Sequence, residues 1–201
     1  KNLPYNAPSH NQREEFNNIK SKASANMKVI DLFDTLSLST GKDYYYKTDH
    51  HWNTHGAYEG YKALASEMGF TPTPKDDFDF KPIPEPFYGT LYSKAVYSKQ
   101  TSDTVYLPIY KKQALITQQT GKKTRDSLFW NDYFTKKDKY SSFLGGNHSV
   151  DLVKNDSVKN NRKLLIIKDS YANSVIPFLA TNFSEIHIID LRYYNQNIYK
   201  Y

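Results

Sequence analysis

Two short stretches of this 201-residue chain hold the side chains best suited to chemistry. The first, Thr48-Asp49-His50-His51-Trp52-Asn53-Thr54-His55, carries three of the six histidines. The second is Asp169-Ser170, at the end of the apolar run Leu164-Leu165-Ile166-Ile167. A serine hydroxyl is a poor nucleophile until an imidazole takes its proton. The imidazole works best when a carboxylate fixes its tautomer and stabilises its protonated form. Asp49, His51 and Ser170 supply that set, provided the loop bends enough for Asp49 to reach the ring two residues on. The chain order Asp, His, Ser is no obstacle, because such triads are defined by geometry.

The same residues carry other readings. Ser170 could simply cap the helix that follows, and Asp169 could cap it equally well. The histidines could hold a metal: His51 and His55 are at i, i+4 spacing, and Asp49 could add a third ligand. Asn53 and Gly56, however, place a helix boundary between His51 and His55, so the two need not share a face. Tyr44, Tyr45, Tyr46 and Trp52 suit a core or rim as well as a platform for a sugar ring. Gly145-Gly146-Asn147-His148 could give backbone and amide donors to an oxyanion or form a turn.

The elements that position these residues follow from periodicity and punctuation. Residues 1–27 open with Pro4, Asn6, Pro8 and Ser9. A polar helical pattern follows, with Phe16 and Ile19 on one side, Glu14 and Glu15 early, and Lys20 and Lys22 late, as a helix dipole favours. Met27 to Leu32 reads as a buried strand, and Thr40-Gly41-Lys42-Asp43 breaks the chain. Asn53 to Phe70 is the clearest helix. Asn53 or Thr54 can cap it, Ala57, Tyr58, Tyr61, Leu64, Ala65 and Met68 form its apolar stripe, and Gly69 closes it. From Thr71 to about Ser142 the texture changes: Pro72, Pro74, Pro82, Pro84 and Pro86 break up helices, while Thr104–Tyr110 and Gln113–Gln119 have strand composition and Gly121 marks a turn. This stretch reads as an inserted ribbon and loop region covering a cleft. Leu164–Ile167 and Ile186–Ile189 read as buried parallel strands, with a turn at Lys168-Asp169-Ser170 and a helix from Tyr171 to Ala180 between them. Such a unit is a right-handed crossover, and ligands collect at the carboxyl ends of its strands, where Ser170 and Arg192 stand. The tail Asn197–Tyr201 reads as the start of a helix.

Composition narrows the classes. Without cysteine there is no disulfide, no Cys-based zinc site and no thiol to compete with Ser170. A mean hydropathy of −0.75, with no apolar run near the roughly 20 residues a spanning helix needs, excludes a membrane helix. Aromatic residues at 15% exclude a disordered tail, and the length suits one globular domain. The net charge is +6, but the cations are mostly scattered lysines. Only Arg13, Arg125, Arg162 and Arg192 offer bidentate forks, so solvated faces are expected rather than a nucleic-acid track. There is no initiator Met and no leader-like segment, so the numbering is expected to begin inside a longer precursor. The tail at Asn197–Tyr201 reads as a helix cut off before its next strand, so a domain trimmed at both ends is expected.

The run KTDHHWNTHGAYEGY at Lys47–Tyr61 resembles the signature of the bacterial family named for its Asp-His-His-Trp motif. SSFLGGNH, LLIIKDSYANSVIPFL and IHIIDLRYY resemble its later blocks, so the resemblance runs from about Val29 to Tyr194. That family is similar to the SGNH-hydrolase-like proteins of the alginate O-acetyltransferase group. There, a D-x-H-W motif supplies the Asp and His, and a serine after a later strand carries the acyl group. The resemblance implies that Asp49, His51 and Ser170 are the catalytic residues, with His50 at the x position. It implies the Ser170 N–H as an oxyanion donor, with Gly146 or Asn147 beside it and Arg192 and Trp52 as substrate candidates. Related enzymes usually place Gly two residues before the nucleophile; here that position is Lys168. The implied fold is an α/β, SGNH-like three-layer sandwich with a parallel central sheet, one domain over 1–201 with an insertion at about 71–142. The implied activity is O-acetyl transfer to, or acetyl-ester removal from, a cell-envelope or exopolysaccharide sugar, with no metal or cofactor. A glycan substrate, a membrane acyl-exporting partner and an extracytoplasmic location belong to the same expectation. Its rivals are a catalytically silent carbohydrate-binding or scaffold protein and a metal site at His50, His51 and His55.

Overall fold

The computed structural model describes residues 10–37, 41–95 and 101–201, so Pro4, Asn6, Pro8, Ser9 and Thr40 lie outside the described residues. Helix α1 (Gln12–Lys22) is capped by the Asn11 side chain, which accepts the Glu14 N–H. Helix α2 (Thr54–Met68) is capped by Asn53, whose side chain accepts the N–H groups of His55 and Gly56, and ends at a left-handed Gly69. Strand β1 (Phe78–Pro82), the short helix α3 (Thr90–Ala95) and strand β2 (Tyr106–Tyr110) follow. Then come β3 (Ile116–Thr120), β4 (Lys123–Arg125), β5 (Val150–Asn155) and β6 (Lys163–Ile167). A 3-10 turn at Ser170–Ser174 leads into α4 (Ile176–Leu179), and β7 (Glu185–Ile189) completes the sheet.

The larger sheet runs β4-β3-β5-β7-β6, and β1 and β2 form a separate antiparallel pair. Among the described residues only β6 and β7 are parallel; β4 on β3, β3 on β5 and β5 on β7 are antiparallel. The expected parallel central sheet is therefore a mixed one. The crossover through Ser170–Leu179 forces β6 and β7 to run together. The β3–β4 hairpin turns at Gly121, and β5 then inserts between β3 and β7 with alternating burial. β3 and β4 fall within 71–142 yet pair into this sheet, whereas β1 and β2 form the ribbon.

Two further expectations change. Met27–Leu32 joins no ladder among the described residues; the Asp31 side chain accepts the Phe33 N–H and the chain turns instead. The helix expected over Tyr171–Ala180 splits in two, because Pro177 lacks the N–H that would continue the helix and its ring crowds the carbonyl four residues back. It is accommodated in the first turn of α4. β6 is an edge strand, with Leu164 and Ile166 against the core and Leu165 and Ile167 about half exposed. The tail holds a 3-10 turn at Ile198–Lys200.

The main core lies where α2 and α4 cover the sheet: Ala57, Tyr58, Tyr61 and Ala65 meet Ile176, Phe178, Ile186 and Ile188. The rings of Tyr61 and Phe178 stack at 5.6 Å. Truncating a ring buried this completely costs about 3–5 kcal/mol. A second cluster of Tyr46, Phe87, Val105, Tyr140 and Phe143 packs under the histidine loop. Its function is positional: it fixes the floor on which Asp49 and His51 sit.

Candidate active site

The loop between Tyr44 and Asn53 closes on itself. Tyr46 N–H donates to the His51 carbonyl at 3.2 Å, Asn53 N–H donates to the Tyr44 carbonyl at 2.8 Å, and Tyr45 bridges Trp52. This pinch supplies the bend needed for Asp49 to reach His51. Tyr44 and Tyr46 are buried beneath the loop, while Tyr45 is exposed. Asp103 fastens the far side by accepting from the Lys47 and Thr48 N–H groups and from the Thr48 hydroxyl.

At the tip, His51 Nδ1 lies 2.5 Å from Asp49 Oδ1 and His51 Nε2 lies 2.7 Å from Ser170 Oγ. An ionised carboxylate only accepts, so Nδ1 carries the proton and Nε2 is left to accept from the Ser170 hydroxyl. Asp49 Oδ1 also accepts the His51 backbone N–H at 3.0 Å. Its Oδ2 accepts the Thr90 N–H at 2.8 Å and the Thr90 hydroxyl at 3.0 Å. Burial pushes the Asp49 carboxyl up, but the bonds from His51 and Thr90 outweigh it and hold the group well below the usual carboxylate range.

Gly89 makes this carboxylate site fit. A Cβ there would lie 2.3 Å from the Asp49 Cβ, so any larger residue would displace the carboxylate. Tyr140 stacks flat on the His51 ring at 3.8 Å and donates its hydroxyl proton toward the Ser170 carbonyl at 2.9 Å. One residue thus braces both imidazole and serine. Thr90, Gly89 and Tyr140 were not singled out in the sequence, which holds no local signal for them.

Asp169, not Ser170, caps the turn: its side chain accepts the Tyr171 N–H at 2.9 Å. The Ser170 hydroxyl is thereby free for His51. The Ser170 N–H donates to no acceptor among the described residues, as an oxyanion donor requires. Gly146 does not meet that requirement, because its N–H is engaged by the Phe143 carbonyl at 3.1 Å and its own carbonyl accepts from Asn173. The Gly145-Gly146 turn is shaped by packing: a Cβ on Gly145, at φ +78°, would strike the Trp130 ring at 2.5 Å. Asn147 stands against the serine turn, its Oδ1 accepting from Lys168 Nζ at 3.2 Å and Asn173 Nδ2 at 3.1 Å.

The two other candidates have structural partners. Trp52 Nε1 donates to the Tyr171 carbonyl at 3.0 Å and the Ser174 hydroxyl at 3.1 Å, which ties the histidine loop to the serine turn. Arg192 turns its fork onto Asp190, at 2.9 and 2.6 Å, and not onto the serine. Both line an apolar cleft of about 760 Å³ that runs along the free edge of β6 and passes Asp169 and Tyr171. The cleft lies beside the Asp49–His51–Ser170 chain and not over it.

The metal alternative loses one of its ligands. Asp49, His50 and His51 bring ligand atoms within 4.8 Å of one another, but His55 is not among them. It lies inside α2 with its ring against Phe80 at 4.9 Å. Asp49 and His51 already hold each other, Thr90 and Ser170, so an ion would have to displace those bonds. His50 is bonded through Nδ1 to the Thr90 hydroxyl at 2.6 Å; partial burial, followed by the neighbouring His51, keeps its ring neutral to lower pH than usual.

A family profile described as DHHW protein matches residues 4–189. Among solved structures, the chain resembles a DHHW family protein from Eubacterium siraeum, with a TM-score of 0.78 and 29% identity over 92% of this chain and 62% of that one. It spans less than two thirds of that relative. It also resembles Bacillus cereus PatB1 with a sulfonyl adduct, with a TM-score of 0.77 and 22% identity over 97% of this chain and 70% of that one. A second PatB1 structure gives a TM-score of 0.72 at 22% identity, covering 94% and 69%. At this identity the likeness to PatB1 is one of fold. No curated protein matches.

Proposed function

The chain belongs to the DHHW protein family, and we propose that it is a serine-dependent acyl-group enzyme. It would transfer an acetyl group to, or remove one from, a cell-envelope or exopolysaccharide sugar. The observation that carries this reading is the unbroken chain from Asp49 through His51 to Ser170, at 2.5 and 2.7 Å. On this reading the fold is an SGNH-hydrolase-like α/β domain. The resemblance of the Asp-His-His-Trp block to the alginate O-acetyltransferase group supports the sugar ester as substrate. The sulfonyl adduct of PatB1 supports the nucleophile half of the reading, because sulfonyl electrophiles are captured by activated nucleophiles.

The steps follow from the atoms present. His51 Nε2 accepts the Ser170 Oγ proton as Oγ attacks the carbonyl carbon of an acetyl ester. The resulting oxyanion takes hydrogen bonds from the Ser170 N–H and the Asn147 side-chain amide; each such donor contributes on the order of 3 kcal/mol. Imidazolium Nε2 then protonates the departing alkoxide, leaving acetyl-serine and neutral His51. A sugar hydroxyl or water next gives its proton to Nε2 and attacks the acetyl carbon. Collapse of that adduct returns the proton to Ser170 Oγ. Transfer and hydrolysis differ only in the acceptor. The same reading places the domain outside the cytoplasmic membrane, with a membrane acyl-exporting protein as donor. No helix among the described residues is long and apolar enough to cross a membrane.

The test is turnover of p-nitrophenyl acetate by wild type, Ser170→Ala and His51→Ala, with and without chelator. Mass spectrometry of a quenched reaction would accompany it. Turnover that survives chelation, fails in both variants and leaves an acetyl adduct on Ser170 is expected. Wild type no faster than Ser170→Ala would overturn the enzyme reading in favour of a silent glycan-binding or scaffold protein. Activity lost to chelator yet kept by Ser170→Ala would point to the metal.

A further inference from the structure

Lys168 stands two residues before Ser170, and its side chain is only 1% exposed. Its Nζ lies 3.5 Å from Asp190 Oδ2 and 3.2 Å from Asn147 Oδ1. Burying an ammonium group costs several kcal/mol unless charge and hydrogen-bond partners surround it. Asp190 supplies the charge, and it is itself held by the Arg192 fork. Asn147 supplies a neutral oxygen.

That oxygen fixes the amide. Lysine offers only donors, so an Asn147 side chain flipped end for end would turn its NH₂ group against the ammonium. Asn173 presses the same way. Its Nδ2 donates to Asn147 Oδ1 and to the Gly146 carbonyl, while its own Oδ1 is buried without a partner. Two donors therefore converge on Asn147 Oδ1. Asn147 Nδ2, on the other side of the same carbon, donates to none of the described residues.

We infer that Lys168 is a positioning residue for acyl transfer: with Asn173 it locks the Asn147 amide so that Nδ2 is held as a standing oxyanion donor beside the Ser170 N–H. The inference rests on the serine acyl-transfer reading. Lys168 touches no reacting atom and acts through Asn147. A donor locked before substrate arrives needs no reorganisation as charge develops on the carbonyl oxygen, so its loss is felt in kcat and not in KM.

The experiment is a double-mutant cycle on p-nitrophenyl acetate, with thermal melts as the check on folding and Ser170→Ala as the baseline. Asn147→Ala is expected to lower kcat about 100-fold, the scale of one oxyanion donor. Lys168→Met, which keeps the stem and removes the donor, is expected to lower kcat at least about tenfold with KM within about twofold, while Lys168→Arg restores most of the rate. Combining Lys168→Met with Asn147→Ala is expected to cost no more than Asn147→Ala alone. Should Lys168→Met fail to fold, the pair Lys168→Met and Asp190→Asn removes ammonium and counter-charge together and is read in its place. Wild-type kcat in the lysine variant, or losses that multiply in the cycle, overturns the inference while leaving Ser170 chemistry intact. Wild type no faster than Ser170→Ala overturns both.

Discussion

Replacing Asp49 by Asn tests the candidate triad with the least change in shape. The carboxylate accepts four hydrogen bonds: the His51 N–H and Nδ1 on Oδ1, and the Thr90 N–H and hydroxyl on Oδ2. An amide can satisfy only one end. With its oxygen on Thr90, the NH₂ group faces His51 Nδ1, so the imidazole must carry its proton on Nε2 and cannot accept from Ser170. With its oxygen on His51, the working tautomer survives, but the NH₂ group meets the Thr90 N–H at 2.8 Å. Such a donor-to-donor contact costs about 1–3 kcal/mol. In both orientations the negative charge beside the transient imidazolium is gone. At a charge separation of about 4 Å and an effective dielectric near 20, that charge is worth about 4 kcal/mol. Asp49→Asn should therefore lower kcat about a thousandfold, with KM little changed. The assay is p-nitrophenyl acetate kinetics on folded protein, against Ser170→Ala as the floor. A folded Asp49→Asn enzyme within tenfold of wild type would refute the tautomer and charge argument together.

Two other perturbations probe the same carboxylate. Gly89→Ala puts a methyl 2.3 Å from the Asp49 Cβ and 2.4 Å from Oδ2, so it should destabilise the fold by about 1–3 kcal/mol and lower kcat at least about tenfold; a melt and a turnover curve like wild type would contradict the packing. Because the folded Asp49 carboxyl titrates below its unfolded value of about 3.9, its contribution to stability is fully present above that pH and is lost as pH falls through the lowered folded value. The melting-temperature gap between wild type and Asp49→Asn should thus shrink steadily below about pH 4, and a gap constant down to pH 3 would remove that account.

What the sequence disclosed, it disclosed through local rules. Asn53 and Gly69 mark the ends of α2 because capping depends on neighbours two to four residues away. The Thr48–His55 cluster was conspicuous because its residue types are rare and adjacent. Ladder direction was hidden, since periodicity reports which face is buried and not which way the partner runs; the β5 residues Val150–Asn155 alternate as any half-buried strand does. Also hidden were the supports that arrive from far along the chain. Thr90 lies 41 residues from Asp49, and Tyr140 lies 30 from Ser170. Nothing near Gly89 in sequence shows that only hydrogen fits against Asp49.

The competition between Asp169 and Ser170 for the cap shows how local rules bear on chemistry. Either side chain could cap the turn, and sequence could not choose between them. In the structure Asp169 takes the Tyr171 N–H, a charge-assisted bond at the positive end of the turn. Had Ser170 been the cap, its oxygen would point back at the Ala172 or Asn173 N–H and its proton away from any base. With Asp169 in that place, the Ser170 hydroxyl has one partner among the described residues, His51 Nε2 at 2.7 Å. Substituting Asp169 by Ala should therefore do more than loosen a cap. It leaves Ser170 as the nearest side chain able to cap the turn, by accepting the N–H of Ala172 or Asn173, and draws Oγ away from the imidazole.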